Sequence, residues 1–305
     1  MTSRCELCPR LCRADRARGR TGFCQAGALP RVFRWGPHFG EEPPICGETG
    51  SGAVFFSRCT LKCLYCQNAP WSWQGGGRDL ALPDLTAIFR DLALRHRCAN
   101  WNLVSPTPYL PAIRAAVAPL RAEGVRLPFV YNSSGYERPE TLAAFRDLCD
   151  IALVDLRYAS DATAAAASAA PGYVAASRAA VKWLWDHLGP LDAEAPGAAT
   201  RGVIVRLLVL PGHADEAVEN LAWLATACSP SVHVSVMSQY APAYNARTTP
   251  PFDRVVTEEE YEAVTEAAAD FGFERGWIQG FGSRDASSDL VGENMSAGEG
   301  TVGRS

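Results

Sequence analysis

The chain reads as an α/β protein built on a largely parallel sheet, and two observations predict this. From residue 51 onward short apolar runs alternate with helix-length segments, and crossovers of that length make neighbouring strands parallel. Polar residues also gather just past the apolar runs, where parallel α/β proteins carry their function. The expected strands are Ala53–Ser57, Trp101–Ser105, Phe129–Asn132, Ile151–Asp155, Val203–Leu210 and Val232–Met237. The expected helices cover Pro83–Arg97, Tyr109–Glu123, Glu140–Leu148, Val174–Leu188 and Ala214–Ala227. Pro83 suits a first helical turn, where a missing N–H is harmless. Ala162–Ala170 and Gly189–Gly202 read as connections, the first alternatively as a short Ala-rich helical turn. This divides the chain into a Cys-rich N-terminal extension (1–50), the α/β body (51–282) and a tail (283–305). The tail has no apolar period and is expected to be disordered.

Composition narrows the class. With 305 residues, 48% of them hydrophobic, and a net charge of −4, the chain fits a globular enzyme with a substantial core. The charge gives no reason to expect nucleic acid. The first twenty residues are locally basic, through Arg4, Arg10, Arg13, Arg16, Arg18 and Arg20, but stacking aromatics are not interleaved with them. No apolar run is long enough to span a bilayer, and Met1–Cys8 lacks the apolar centre of a signal peptide. The expectation is a cytoplasmic protein without disulfides, in which clustered cysteines are metal ligands.

There are eleven cysteines, and seven of them are clustered. Cys59-Thr-Leu-Lys-Cys63-Leu-Tyr-Cys66 follows the apolar run Gly52–Phe56 with C-x3-C-x2-C spacing. Three soft thiolates on one tight loop can hold three corners of a [4Fe–4S] cluster and leave the fourth iron open for a ligand. Zinc more often uses paired knuckles or a following His pair, which this loop lacks. Cys5, Cys8, Cys12 and Cys24 lie in a polar segment too short to bury a core, which points to a metal staple. Zinc and a second iron–sulfur cluster both fit that spacing. Cys98, Cys149 and Cys228 lie on apolar-periodic segments and read as buried thiols.

The C-x3-C-x2-C motif, with Tyr65 just before its third cysteine and a strand just ahead of it, resembles the radical S-adenosylmethionine (SAM) superfamily. Phe39-Gly-Glu-Glu-Pro-Pro44, Gly50–Ser57, Tyr131-Asn-Ser-Ser-Gly-Tyr136, Arg206–Gly212 and Met237–Tyr244 are similar to a branch related to pyruvate formate-lyase activating enzymes. The resemblance runs from about Cys5 to about Gln279. It implies a partial (β/α)6 TIM-like barrel. It also implies that the amino and carboxylate groups of SAM chelate the open iron. One electron from the reduced cluster then cleaves SAM to methionine and a 5′-deoxyadenosyl radical, which abstracts hydrogen from a substrate.

The same resemblance suggests SAM-binding residues. Ser105 and Thr107 follow the second strand, where relatives often carry Gly-Gly-Glu and this chain does not. Asn132 and Ser134 follow the third strand. Asp155 and Arg157 stand where activating enzymes have Asp-x-Lys, and Arg offers a different hydrogen-bonding fork. Arg206, charged within an apolar strand, needs a carboxylate partner, from SAM or from Asp155. Gln239 and Tyr240 are candidates for a substrate pocket, His213 for proton handling, and Trp71 and Trp73 for shielding the cysteine loop. No residue is singled out as catalytic. A one-electron donor such as flavodoxin or ferredoxin is implied. The substrate is either a glycyl radical enzyme or a small molecule or peptide. The competing class is an iron–sulfur electron carrier or redox sensor without SAM chemistry.

Overall fold

The computed structural model describes residues 4–193 and 197–282, together with the backbone of Glu293–Asn294. Apart from those two residues, the expectation for the tail lies outside the described residues. One sheet organises the molecule. Its first strand, β1 (Arg31–His38), runs antiparallel to β2 (Ser51–Phe56), and the short β3 (Arg78–Asp79) pairs with β1. Beyond β2 the sheet is parallel and continues in chain order. It runs through β4 (Trp101–Val104), β5 (Phe129–Ser133), β6 (Ile151–Asp155), β7 (Gly202–Leu208), β8 (His233–Met237) and β9 (Gly276–Ile278). β10 (Glu293–Asn294) adds to the outer edge of β1, so the sheet runs open from β10 to β9.

The helices between these strands are α1 (Pro43–Cys46), α2 (Ala69–Ser72), α3 (Leu82–Leu94), α4 (Leu110–Ala122), α5 (Pro139–Ala144) and α6 (Asp161–Ser168). They continue with α7 (Tyr173–Leu188), α8 (Ala214–Ala227) and α9 (Glu258–Asp270). Pro83 stands in the first turn of α3, as its chemistry requires. The segment Glu140–Leu148 is not one helix. α5 stops at Ala144, and Arg146–Leu148 tightens into a 3-10 turn where Asp147 meets Arg114 and Arg121 of α4. The Ala-rich stretch at 161–168 is a full helix, α6, whose start is fixed by the Ser160 hydroxyl accepting the Thr163 N–H.

Successive strand residues face opposite ways. On one face Phe56, Leu103, Phe129, Val154, Val205 and Val234 pack against α3, α4, α7, α8 and α9 and form the main core. On the other face Val130, Leu153 and Ile204 surround Ile45 of α1. Two residues further along the same face stand Asn132, Asp155 and Arg206, so it changes from apolar to polar at the strand C-termini. β4 and β7 are three strand spacings apart, about 14 Å, a gap that long side chains bridge. Asn102 of β4 and Arg206 of β7 both reach the carboxylate of Glu41 over this face, at 2.9 and 3.5 Å. Among the described residues no helix is long and apolar enough to cross a membrane.

α9 is secured by a reciprocal cap: the Glu260 N–H donates to the Thr257 hydroxyl at 3.2 Å, and the Thr257 N–H donates to the Glu260 carboxylate at 2.8 Å. Replacing Thr257 with Ala should lower the unfolding free energy by about 1 kcal/mol, seen as a lower urea midpoint at unchanged slope.

Candidate functional site

Directly after β2, Arg58 adopts a left-handed backbone (φ 73°) and turns the chain into the cysteine loop. The loop is pinned to α6 by backbone bonds, Lys62 N–H to Ser168 carbonyl at 2.9 Å and Leu64 N–H to Ala167 carbonyl at 2.8 Å. Cys59, Cys63 and Cys66 all line one cleft at the C-terminal ends of the parallel strands. Their sulfurs meet hydrogen-bond donors on several sides. The Leu61 N–H points at Cys59 Sγ (3.4 Å), while the Arg157 guanidinium (3.1 Å) and the Ser168 hydroxyl (2.9 Å) donate to Cys63 Sγ. The Ser72 hydroxyl lies 3.1 Å from Cys66 Sγ. Burial pushes the Cys59 thiol up to about 12 and also raises Cys66. A metal centre would therefore have to displace thiol protons as it binds. Among the described residues no three Cys, His, Asp or Glu side chains are already closed on a single metal position.

A buried polar network forms the opposite wall. Asp155 and Arg206 stand in register on adjacent strands, with Arg206 Nε donating to Asp155 Oδ1 at 2.8 Å. Arg157 Nε donates to Asp155 Oδ2 at 3.1 Å, which links the pair to Cys63. Arg206 also donates to Asn132 Oδ1 at 2.8 Å, and Asn132 and Asn102 both donate to Glu41 Oε1, at 3.0 and 2.9 Å. Burial alone would favour a protonated Asp155, but the Arg206 and Arg157 charges outweigh it and hold the carboxyl below its ordinary range. Burial likewise opposes the charge on Arg157, and Asp155 overrides that penalty.

The structure brings Ser105, Asn132, Ser134, Asp155, Arg157 and Arg206 into this cleft with the three cysteines. Ser105 holds a left-handed backbone (φ 59°), and its N–H bonds the Asn132 carbonyl at 2.9 Å. Thr107 is not on the main wall. It lines a small side chamber with Cys59, Ser105 and Glu137, and its hydroxyl donates to Glu137 at 2.6 Å. Gln239, Trp71 and Trp73 line the cleft. Tyr240 is buried behind it, donating to the Phe252 carbonyl at 2.7 Å. His213 pairs with Glu216 at 3.2 Å and stacks on Phe252, outside the cleft lining. Cys5, Cys8, Cys12 and Cys24 line a separate cavity. Cys98 and Cys149 are buried, while Cys228 is only half-buried.

Sequence reasoning missed Glu41, Asn102 and Glu137. Two adjacent acids ahead of Pro43-Pro44, and an Asn inside an apolar strand, were the available signals. Phe55 and His38 also line the cleft. Its cavity volume is about 230 Å³, somewhat below the usual range for small-molecule sites.

No family model matches the chain. The chain is similar to an uncharacterized protein, MJ0674, of Methanocaldococcus jannaschii. The two are 28% identical over 273 residues, spanning 87% of this chain and 74% of that protein.

Two predictions follow from the charges of this site. Replacing Arg206 with Met leaves Asp155 and Glu41 buried without their main counter-ion. It should cost about 3–5 kcal/mol in denaturant unfolding, and adding Asp155→Asn should recover part of the loss. Glu137 is buried, and that burial pushes its carboxyl up to about 8 from an ordinary 4.5. The folded state therefore holds a proton that the unfolded state releases between pH 4.5 and about pH 8. Stability contributed by this group is full below pH 4.5 and falls as pH rises towards about 8. Glu137→Gln should flatten that fall in a series of urea midpoints across pH.

Proposed function

We propose that this chain is a radical SAM enzyme, with Cys59, Cys63 and Cys66 as ligands of a [4Fe–4S] cluster and SAM bound beside it. One observation carries the reading: three thiols share a cleft with a preorganised Arg157–Asp155–Arg206 network at the C-terminal ends of parallel strands. The donor set fits the group. These three are the cysteines of the cleft lining among the described residues, which leaves one iron of a cubane without a cysteine. Cationic and hydroxyl donors to Cys63 suit a sulfur that carries negative charge. Under this reading the parallel sheet is a partial (β/α)6 barrel with a Cys-rich N-terminal extension.

When bound together, the cluster and SAM supply a 5′-deoxyadenosyl radical for hydrogen abstraction. The protein contributes binding, orientation and dryness. Asn132, Asp155, Arg157 and Arg206 hold fixed dipoles and charges at the wall, so a polar ligand meets an environment already organised. Ser105 and Ser134 offer hydroxyls at the strand ends, with Thr107 behind them in the side chamber. Phe55, Trp71 and Trp73 provide apolar surface that excludes water from the cysteine loop. A cytoplasmic setting, an electron donor such as flavodoxin or ferredoxin, and a glycyl radical enzyme or small-molecule substrate complete the proposal.

Replacing Cys59, Cys63 and Cys66 together with Ala should abolish 5′-deoxyadenosine formation from SAM under anaerobic reduction and remove about four irons. Nucleoside made by the triple variant, or none made by fully loaded wild type, would refute the enzyme reading. The second result would favour an electron carrier.

A further inference from the structure

Residues 4–30 precede the first strand and contain no α-helix or β-strand, only the 3-10 turn Arg16–Arg18. Their burial is inverted relative to a hydrophobic core. Leu11, Phe23 and Leu29 are 43%, 37% and 44% exposed, whereas Cys5, Cys8 and Cys24 are buried at 4%, 8% and 6%, along with the small Ala14 and Ala26, and Cys12 is exposed. Apolar packing does not account for an ordered segment of this kind.

The backbone instead turns sharply around the cysteines. The Leu11 N–H bonds the Cys8 carbonyl at 3.1 Å, the Arg13 N–H bonds the Cys5 carbonyl at 2.9 Å, and the Gln25 N–H bonds the Gly22 carbonyl at 2.9 Å. Leu11, Arg13 and Gln25 all hold left-handed conformations, at φ 43°, 52° and 58°. Each costs of order 1 kcal/mol and persists only when the surroundings impose it. Gly22 allows a close approach, since a Cβ there would lie 2.4 Å from Cys12 Sγ.

All four sulfurs line one small cavity, together with Arg10, Arg16, Phe23 and Thr60. A cation already stands among them, with the Arg16 guanidinium 3.1 Å from Cys5 Sγ and 3.6 Å from Cys24 Sγ. The sulfurs share the cavity without being closed on one point, so a metal would draw them together as their protons leave. The cavity also abuts the other cysteine loop. Thr60 is next to Cys59, and its carbonyl accepts from Arg10 Nε at 2.7 Å. Arg10 also reaches the Ala169 carbonyl at 2.5 Å, Arg16 reaches that of Pro108, and Arg138 donates to the Glu6 carbonyl at 2.7 Å.

We propose that Cys5, Cys8, Cys12 and Cys24 bind a metal centre through four thiolates, and that this centre latches the N-terminal segment over the Cys59–Cys66 loop. Zinc and an iron–sulfur cluster share this tetrathiolate chemistry. The metal supplies the ordering free energy that the segment's exposed apolar residues do not. The inference stands on this segment alone and does not require SAM chemistry at the other loop.

The experiment measures iron, sulfide and zinc in full-length protein purified without oxygen. It compares wild type, Cys59/Cys63/Cys66→Ala, and that variant with Cys5, Cys8, Cys12 and Cys24 also changed to Ser. The loop variant should retain about four irons with sulfide, or about one zinc, and the further variant should lose them. Which element is retained identifies the centre. Trypsin should then cleave at Arg10–Arg20 at least about tenfold faster, as expected when a local ordering energy is lost, while the circular dichroism of the sheet is kept. Because the substituted chain could misfold, wild type stripped by a chelator and reloaded with zinc, or with iron and sulfide, provides the second measurement. Protection should be lost and regained. A loop variant without metal, or trypsin protection indifferent to metal, would overturn the proposal.

Discussion

The architecture turns on one buried guanidinium. Arg206 follows the apolar Ile204 on the same sheet face, and desolvating such a charge is affordable only with partners close by. Asp155, Asn132 and Glu41 are those partners, and each comes from a different part of the chain. Satisfying Arg206 thus draws β5, β6, β7 and the loop before α1 to one point. The polar wall of the cleft is built around that point. The Arg157 side chain extends the same network to Cys63, so the charge balance of the wall and the environment of the cysteine loop are not independent.

Much of this was legible in the sequence because burial on both faces leaves a continuous apolar run, and the parallel strands carry such runs. Ile151–Asp155 matches its expected bounds, and the other expected strands shift by a few residues at most. β1 was not legible. Arg31-Val-Phe-Arg-Trp-Gly-Pro-His38 includes Gly, Pro and two Arg, which break the apolar pattern of a strand, and its register is irregular near Val32–Arg34. α9 was missed although Thr257-Glu-Glu-Glu260 spells its cap, because its surface-facing sequence has a weak apolar stripe.

Within the site, residues at strand ends could be placed from the strand pattern, which is how Asn132, Asp155 and Arg206 were reached. Glu41 and Glu137 could not. Glu41 lies in a loop after an antiparallel strand and reaches the cleft through Asn102, Asn132 and Arg206, from three different strands. Glu137 follows the polar turn after β5 and is buried by contacts with Thr107 and Tyr131 that no local pattern encodes. Long-range side-chain contacts depend on relative placement of elements, which periodicity does not report.

The contacts of the first residues span very large sequence separations. Arg16 meets Pro108, Glu6 meets Arg138, and Arg10 meets Ala169. Synthesis runs from the N-terminus, so this segment is made before the strands and helices that it docks against. During that interval Cys5, Cys8, Cys12 and Cys24 are exposed on a growing chain, open to capture by any thiophilic ion or oxidant nearby. Residues 6–16 can settle only after their partners at 108, 138 and 169 have been made.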